Sequence, residues 1–450
     1  MGFPGWKQGD VQVNRRGDLV VEATPPSIRP EHCKGCQLTQ GKGFYNWGSR
    51  TREVHDMPYH GQRKVLLVTQ TRWKCRECGT TRWDWPEQLV EDRKITARVY
   101  FYLAEQCWDR KFVDVAREVG CDEEIVRRMF LDEIRSMEQF FNPAAPRILG
   151  IDEVHLLKHP RGTLVCHDSR ALIDILKDFN QATFAERFKR MPEKTRTEVV
   201  TMDQTPKYRN LIHRYFRNAV VIADKWHVLA HADRCFATIF SRQREELERR
   251  DRVRIWGHRY LFRKHWHALN DDEKGVVEDW FIKAPTIAAA YHVKEGFYRI
   301  YRSLDREEAE YVFNEWLASI TPDVQLFRET VANTVLAWKE EYLNYFEYGR
   351  HTNALTEALN LKIKEAQRGG RGYSFEVLRG KMLYRMPPRV TRVDRHDDTQ
   401  LWAKVVGARR SSGPPPTRSA AWHRRQEQYE PRDAGADLST LLEMLTPGSL

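Results

Sequence analysis

Ile148-Leu-Gly-Ile-Asp152-Glu-Val-His155 is an apolar run that ends in an acid. Such a run reads as a core strand, with Asp152 presented at a site at its C-terminal tip. The plainer reading is an aspartate that caps a strand or turn. Two features further along weigh against it. Val199-Val-Thr-Met202 is a second apolar run that also closes on an acid, Asp203. A third acid, Glu357, lies on a helix among polar groups. Two strand-end aspartates and a helical glutamate, far apart in sequence, are a set that holds two divalent metals for phosphoryl transfer.

Working outward, Gly162–Asp168 and Arg170–Leu176 read as the second and third strands, Glu198–Asp203 as the fourth and Ala219–Asp224 as the fifth. Helices are expected over 183–191 and 206–216, the latter with Pro206 near its start. Three strands in meander followed by strand–helix–strand units is the order of an RNase H-like sheet. There the first and fourth strands are neighbours, which brings Asp152 and Asp203 within reach of one cation. Asp224-Lys-Trp-His227 ends the fifth strand, and Asp224 and His227 read as supporting groups rather than as the reacting ones. Asp168, Glu153 and His155 read as solvated loop residues.

Before the core, Val11 to Glu22 alternates as a hairpin. Cys33-Lys-Gly-Cys36 and Cys75-Arg-Glu-Cys78 form two tight knuckles separated by 38 residues. Four thiolates satisfy a tetrahedral structural zinc site, and strand-like segments between them fit a ribbon with an enlarged hairpin. Arg72, Trp73, Arg82, Trp83 and Trp85 interleave bases and aromatics here; they either contact DNA or pack over the zinc. A helix is expected over 92–108. Phe112 to Phe130 then reads as a helix-turn-helix, with Gly120 in the turn, Asp122 capping the second helix, and Arg127 and Arg128 on its exposed side.

After the fifth strand, helical periodicity runs from about 229 to 340. Leu229–Arg252 reads as one long charged helix, and Asn270–Glu273 and Asp305–Glu308 as capping boxes. Arg252 to Lys264 contains no acid, which suits contact with DNA phosphates. On the helix around Glu357, Asn353, Glu357, Asn360, Lys364 and Arg368 share one face, and Leu355, Leu359 and Ile363 another. Gly369-Gly-Arg371-Gly-Tyr373 follows, then a closing helix, Phe375 to Met386. Arg409 to Arg418 is Pro- and Arg-rich and reads as disordered; Leu438–Leu445 reads as a short amphipathic helix.

The segmentation is therefore 1–88 zinc-binding ribbon, 89–145 helix-turn-helix, 146–228 and 341–390 the two parts of the core, 229–340 a helical insertion, and 391–450 a basic tail. The fold class is multidomain α+β. The chain of 450 residues carries a net charge of +11 with a pI near 9.2, a balance that favours a polyanionic partner. No run approaches a membrane span and no signal-peptide core opens the chain, so a cytoplasmic, reducing setting is expected. Cys107, Cys121, Cys166 and Cys235 read as inert core thiols.

Together the paired cysteines, the helix-turn-helix, Gly150-Ile-Asp152-Glu, Thr201-Met-Asp203-Gln-Thr-Pro-Lys-Tyr208, Asp224-Lys-Trp-His227-Val and Thr352-Asn-Ala-Leu-Thr-Glu357-Ala-Leu-Asn360 resemble the DDE transposases of ISL3-type insertion sequences. The resemblance covers about residues 30–390; the family commonly has Phe where Trp226 stands. It implies Asp152, Asp203 and Glu357 as catalytic acids binding two Mg²⁺ or Mn²⁺ ions, with Asp224 the alternative second acid. Asp224 and His227 match an accessory signature of Mutator-like relatives, and Asn353 and Asn360 are accessory groups. The implied partners are the inverted-repeat ends and target DNA, contacted by Arg127, Arg128, Lys364, Arg368 and Arg371, and a second copy of the chain at least. The implied place is the bacterial nucleoid. The rival functions are a DNA-binding regulator with an idle core and a metal-dependent nuclease without strand transfer.

Overall fold

The computed structural model describes residues 2–36, 43–91 and 93–384. The expectations for 391–450 and for the end of the closing helix lie outside those residues. The chain divides into two compact units, one of Met1–Phe141 with the stretch that begins at Ala366, the other of Asn142–Glu365.

The first unit opens with β1 (Lys7–Val13) and β2 (Leu19–Thr24), the expected hairpin, whose turn is held by Asn14 accepting from the amides of Arg16 and Asp18. A long hairpin follows, β3 (Phe44–Tyr59) and β4 (Gln62–Cys75). His60 and Gly61 both have positive φ, the twist that a two-residue hairpin turn requires. Strand β5 (Thr81–Trp83) pairs with the end of β4. Val21, Ala23, Val54, Leu66 and Val68 bury one sheet face. Asp56, fully buried on β3, accepts from Thr96 and Arg98 and pairs with Lys64, which fixes the helices that follow to the sheet. These helices are α1 (Ala97–Gln106), α2 (Phe112–Val119) and α3 (Glu123–Glu138). Gly120, at φ 85°, makes the turn between α2 and α3, as expected.

The helix Phe375–Tyr384 belongs to this unit. Its Lys381, buried, donates to the carbonyls of Cys107, Trp108 and Arg110, and its Gly380 lies flush against Ile134. The segment 366–384 therefore joins the helical module, whereas its place in the sequence had put it with the core. The helix packs against α3, with Val377, Leu378 and Leu383 buried.

In the second unit β6 (Ile148–Leu156), β7 (His159–Cys166), β8 (Ala171–Ile175), α4 (Gln181–Arg190), β9 (Val199–Met202), α5 (Pro206–Tyr215) and β10 (Val220–Ala223) follow in the expected order. The sheet runs β10-β9-β6-β7-β8. The meander β6–β8 is antiparallel, and β9 and β10 run parallel to β6. Phe184, Phe188, Tyr208 and Phe216 of α4, α5 and its end fill one face.

The helical part comprises α6 (Lys225–Glu246), α7 (Arg249–Gly257), α8 (Asp271–Lys283), α9 (Pro285–Ile300), α10 (Arg306–Ala318), α11 (Asn333–Ala337), α12 (Lys339–Glu347) and α13 (Ala354–Gly369). The single helix expected over 229–252 is two. The chain breaks at Leu247, where Arg252 folds back and donates to the carbonyls of Glu245 and Leu247. Asn270 and Glu273 form the full capping box; Glu308 instead reaches past Asp305 to the amide of Leu304. Strand β10 is covered by α12, where Asn344 donates to the Val221 carbonyl and Lys225 to the Tyr345 hydroxyl.

Candidate active site

Register alone lines up three aspartates. Gly150 of β6 stands opposite Thr201 of β9, and Met202 of β9 opposite Ala223 of β10. Continued by one or two residues, these ladders set Asp152, Asp203 and Asp224 abreast on three adjacent parallel strands. Each follows an apolar residue that is buried in the sheet. Asp152 differs from the expectation in one respect. It lies just past the ladder with β9, which ends at Gly150, but not at the end of the strand, because β6 runs on to Leu156 paired with β7 alone. Asp224 is the N-cap of α6, accepting from the Trp226 amide at 3.5 Å. That cap turns the first helical residues back over the strand ends, and His227 Nε2 comes to 2.9 Å from Asp203 Oδ1. The two are near enough to pair as charges, though not aligned as a hydrogen bond.

The third element is α13, and it enters the site by a buried polar stripe. Asn353 is 1% exposed. Its Nδ2 donates to the Ile151 carbonyl at 3.1 Å, and its Oδ1 accepts from the Thr201 hydroxyl at 3.2 Å. Asn360, two turns on, donates to Asp152 Oδ2 at 2.7 Å. Glu357 lies between them and its charge bears on both Asp152 and Asp224. The side that packs is thus Asn353, Thr356, Asn360 and Ile363; Leu355 and Leu359, expected to line an apolar face, are only half-buried. Gly150 permits this approach. A Cβ there would stand 2.3 Å from Thr356 Oγ1 and 2.6 Å from His167 Nε2. Thr356 and His167 were not legible as site neighbours: a threonine in a helix and a lone histidine at a strand end carry no signal of their own.

The electrostatics follow from the crowding. Burial, then Asp203 and Glu357, push the Asp152 carboxyl up to about 7. Burial and Glu357 raise Asp224 to about 6. Glu357 is exposed as a residue, yet its carboxyl sits among packed neighbours and is raised. Its pairing with Asp203 lifts His227 to about 9. Asp224 is 1% exposed and its Oδ2 has no hydrogen-bond partner. Acids arranged in this way repel unless a cation lies between them. Asp203, Asp224 and His227 present donor atoms all within 4.8 Å of one another. Asp152 and Glu357 do not complete such a group, although they were expected to be ligands alongside Asp203. Asp224 and His227, expected behind the ligands, are instead the closest companions of Asp203. The donor set fits a divalent cation: hard carboxylate oxygens and one imidazole, with an unpaired buried oxygen.

In the first unit, Cys33, Cys36, Cys75 and Cys78 place their sulfurs within 4.8 Å of one another. Cys33 and Cys78 are 3.5 Å apart, and Cys36 and Cys75 3.8 Å. The β3–β4 hairpin performs the joining, since Phe44 at its start pairs with Cys75 at its end. Thr80, 3.1 Å from Cys78, lowers that thiol to about 6. The donor set is that of a structural zinc site. Arg50 and Arg72 stack on Trp83, Arg52 on Trp85 and Arg29 on Trp73, so these tryptophans are engaged within the sheet.

The remaining expected contacts are scattered. Arg127 pairs with Glu123 at 2.7 Å and donates to the Gly372 carbonyl; Arg128 pairs with Glu124 at 2.8 Å. Lys364, Arg368 and Arg371 are exposed, with no ion pair among the described residues. Asp168 accepts from the Ile148 amide and pairs with Arg147, a structural role. Among the described residues no helix is long and apolar enough to cross a membrane.

A comparison with curated proteins finds no match. The family model DDE_Tnp_ISL3, described as Transposase, matches residues 149–382, a span that begins at β6 and takes in the aspartate row, the helical insertion and α13. The chain belongs to the ISL3-type DDE transposase family.

Proposed function

We propose that this protein cuts DNA at the terminal inverted repeats of an insertion sequence and joins the freed ends to target DNA, using an RNase H-like core. What carries the reading is the row Asp152, Asp203 and Asp224 on neighbouring strands, with Glu357 brought over it by α13. Asp152, Asp203 and Glu357 are the catalytic acids, with Asp224 the alternative to Asp203. Two Mg²⁺ or Mn²⁺ ions, when bound, would polarise the scissile phosphate and make water and then a 3′-hydroxyl nucleophilic. The protein's part is positional. Asn360 orients Asp152, and Asn353 fixes the helix that carries Glu357. In the cation-free fold His227 pairs with Asp203 and offsets part of its negative charge; in its neutral form the same ring would join Asp203 and Asp224 in holding an ion. In the first unit a structural zinc on the four cysteines holds the ribbon, and that unit binds the element ends through α3. Synapsis of two ends requires at least a dimer.

The test is supercoiled donor DNA bearing candidate ends, incubated with Mg²⁺ or Mn²⁺. Wild type is expected to give joined products. Asp203→Ala should lower them by about a hundredfold or more while end binding persists. If Asp224→Ala abolishes the products and Asp203→Ala does not, the second acid is Asp224. End binding without cleavage by the wild type would favour the regulator.

A further inference from the structure

Between Arg249 and Lys264 stand seven basic residues and one acid. That acid, Asp251, is taken up by Lys283 at 3.1 Å. Other arginines of this unit are held by carboxylates, Arg187 by Asp174, Arg209 by Glu341 and Arg306 by Glu340 and Glu347. Arg249, Arg250, Arg254 and Arg263 are exposed, and none has a carboxylate partner among the described residues. The buried side of α7 is Ile255, flanked by half-buried Asp251 and Arg252. Arg249, Arg250, Val253 and Arg254 form the opposite, outward side.

Large apolar side chains lie among these charges. Val253 is 70% exposed, Trp256 47% and Tyr260 54%. Trp256 is already engaged by Arg244 and Arg259, at 4.6 Å and 4.5 Å from its ring. Tyr260 has no ring or cation against it among the described residues, and one face is free to stack. Uncompensated arginines attract phosphates, but a duplex backbone gives an exposed tyrosine and valine nothing to cover. Unpaired bases do, and a cationic groove with aromatic stacking is how single strands are held.

We infer that α7 and the turn after it, through Arg249, Arg250, Arg254, Arg263 and Tyr260, form a binding surface for DNA with unpaired bases. The inference deepens the transposase reading and rests on it, naming where an opened strand is held. It is tested by binding rather than by cleavage, so an inactive core would not mimic its failure.

The experiment measures fluorescence anisotropy of full-length protein on two probes of the same sequence, a blunt duplex and one with a single-stranded oligothymidine tail. Variants are the double charge reversal Arg250→Glu with Arg254→Glu, and Tyr260→Ala, each checked for an unchanged thermal melt. All the altered side chains are on the surface. Wild type should prefer the tailed probe. Tyr260→Ala should weaken tail binding about tenfold and leave blunt binding unchanged. The double reversal should weaken tail binding at least as much and flatten its salt dependence. Equal losses on both probes from the double reversal, with no effect of Tyr260→Ala, would overturn the unpaired-base assignment. No change from either variant would overturn the surface altogether.

Discussion

Two clusters in this chain bring together side chains that could hold a metal ion, and they are built by opposite means. The four cysteines come from two short knuckles at the base of one hairpin. Sequence neighbours supply each half, and β3 and β4 bring the halves together. The carboxylate cluster draws on β6, β9, the cap of α6 and α13, so that Asp152 and Asn360 meet across 208 positions. The thiolate set is local and soft; the carboxylate set is non-local, hard and self-repelling. The first is arranged to hold a fold together. The second costs stability in the absence of a cation, as the raised carboxyls of Asp152 and Asp224 show.

The largest expected effect follows from that division. Replacing Cys33 and Cys36 by Ser should release one zinc per chain and unfold the ribbon, because binding energy at such a site is folding energy. Elemental analysis and a two-transition melt would read it, with the second unit's transition left in place. A wild-type protein free of zinc would break the comparison at its first term.

The two clusters also differ in how far they could be read. The knuckles declare themselves by spacing. The aspartates were legible one by one, since each short apolar run ends in an acid, and the strand order gave β6 and β9 as neighbours. The way α13 docks was not legible. Asn353, Glu357 and Asn360 were legible as one polar face at the site; what was hidden is that Asn353, Thr356 and Asn360 are the side that packs, while Leu355 and Leu359 are only half-buried. Only the Ile151 carbonyl and the Thr201 hydroxyl, supplied by distant strands, make burial of Asn353 favourable. The break at Leu247 was hidden for a similar reason. No Gly or Pro marks it, and the group that satisfies the helix end is the side chain of Arg252. The destination of Phe375–Tyr384 was hidden likewise, because its apolar positions fit a sheet or a helical bundle equally well.

A smaller effect tests whether the carboxylate cluster depends on its supports. Gly150→Ala puts a methyl into Thr356 and His167, and overpacking of this kind costs about 1–3 kcal/mol. Because α13 carries Glu357, strand transfer should fall further than stability would explain. Asn360→Ala, which frees Asp152 without adding bulk, should lower activity about 10- to 100-fold with little change in the melt. Equal loss of stability from both variants, with activity following it, would make α13 a packing element and no more.

The smallest expected effect is on pH, and here the two clusters should have opposite signs. In the cation-free fold the carboxyls of Asp152 and Asp224 titrate near 7 and 6, above their ordinary 3.8. Between about 4 and 7 the folded chain holds protons that the unfolded chain has lost, so stability falls as pH rises. His227, raised to about 9 from 6.5, adds stability that is complete below 6.5 and is lost as pH rises through 9. Both trends run the same way. The cysteine cluster runs the other way, since zinc binding needs thiolates and weakens as pH falls. Melts of zinc-loaded protein without added Mg²⁺ or Mn²⁺ should therefore show the second unit's transition moving down between pH 5 and pH 9. Asp152→Asn should flatten much of that slope. Added Mn²⁺ should raise the transition more at pH 8 than at pH 5, where protons compete for the same oxygens. A transition indifferent to both pH and Mn²⁺ would mean that the acids on the three strands do not act as one cation site.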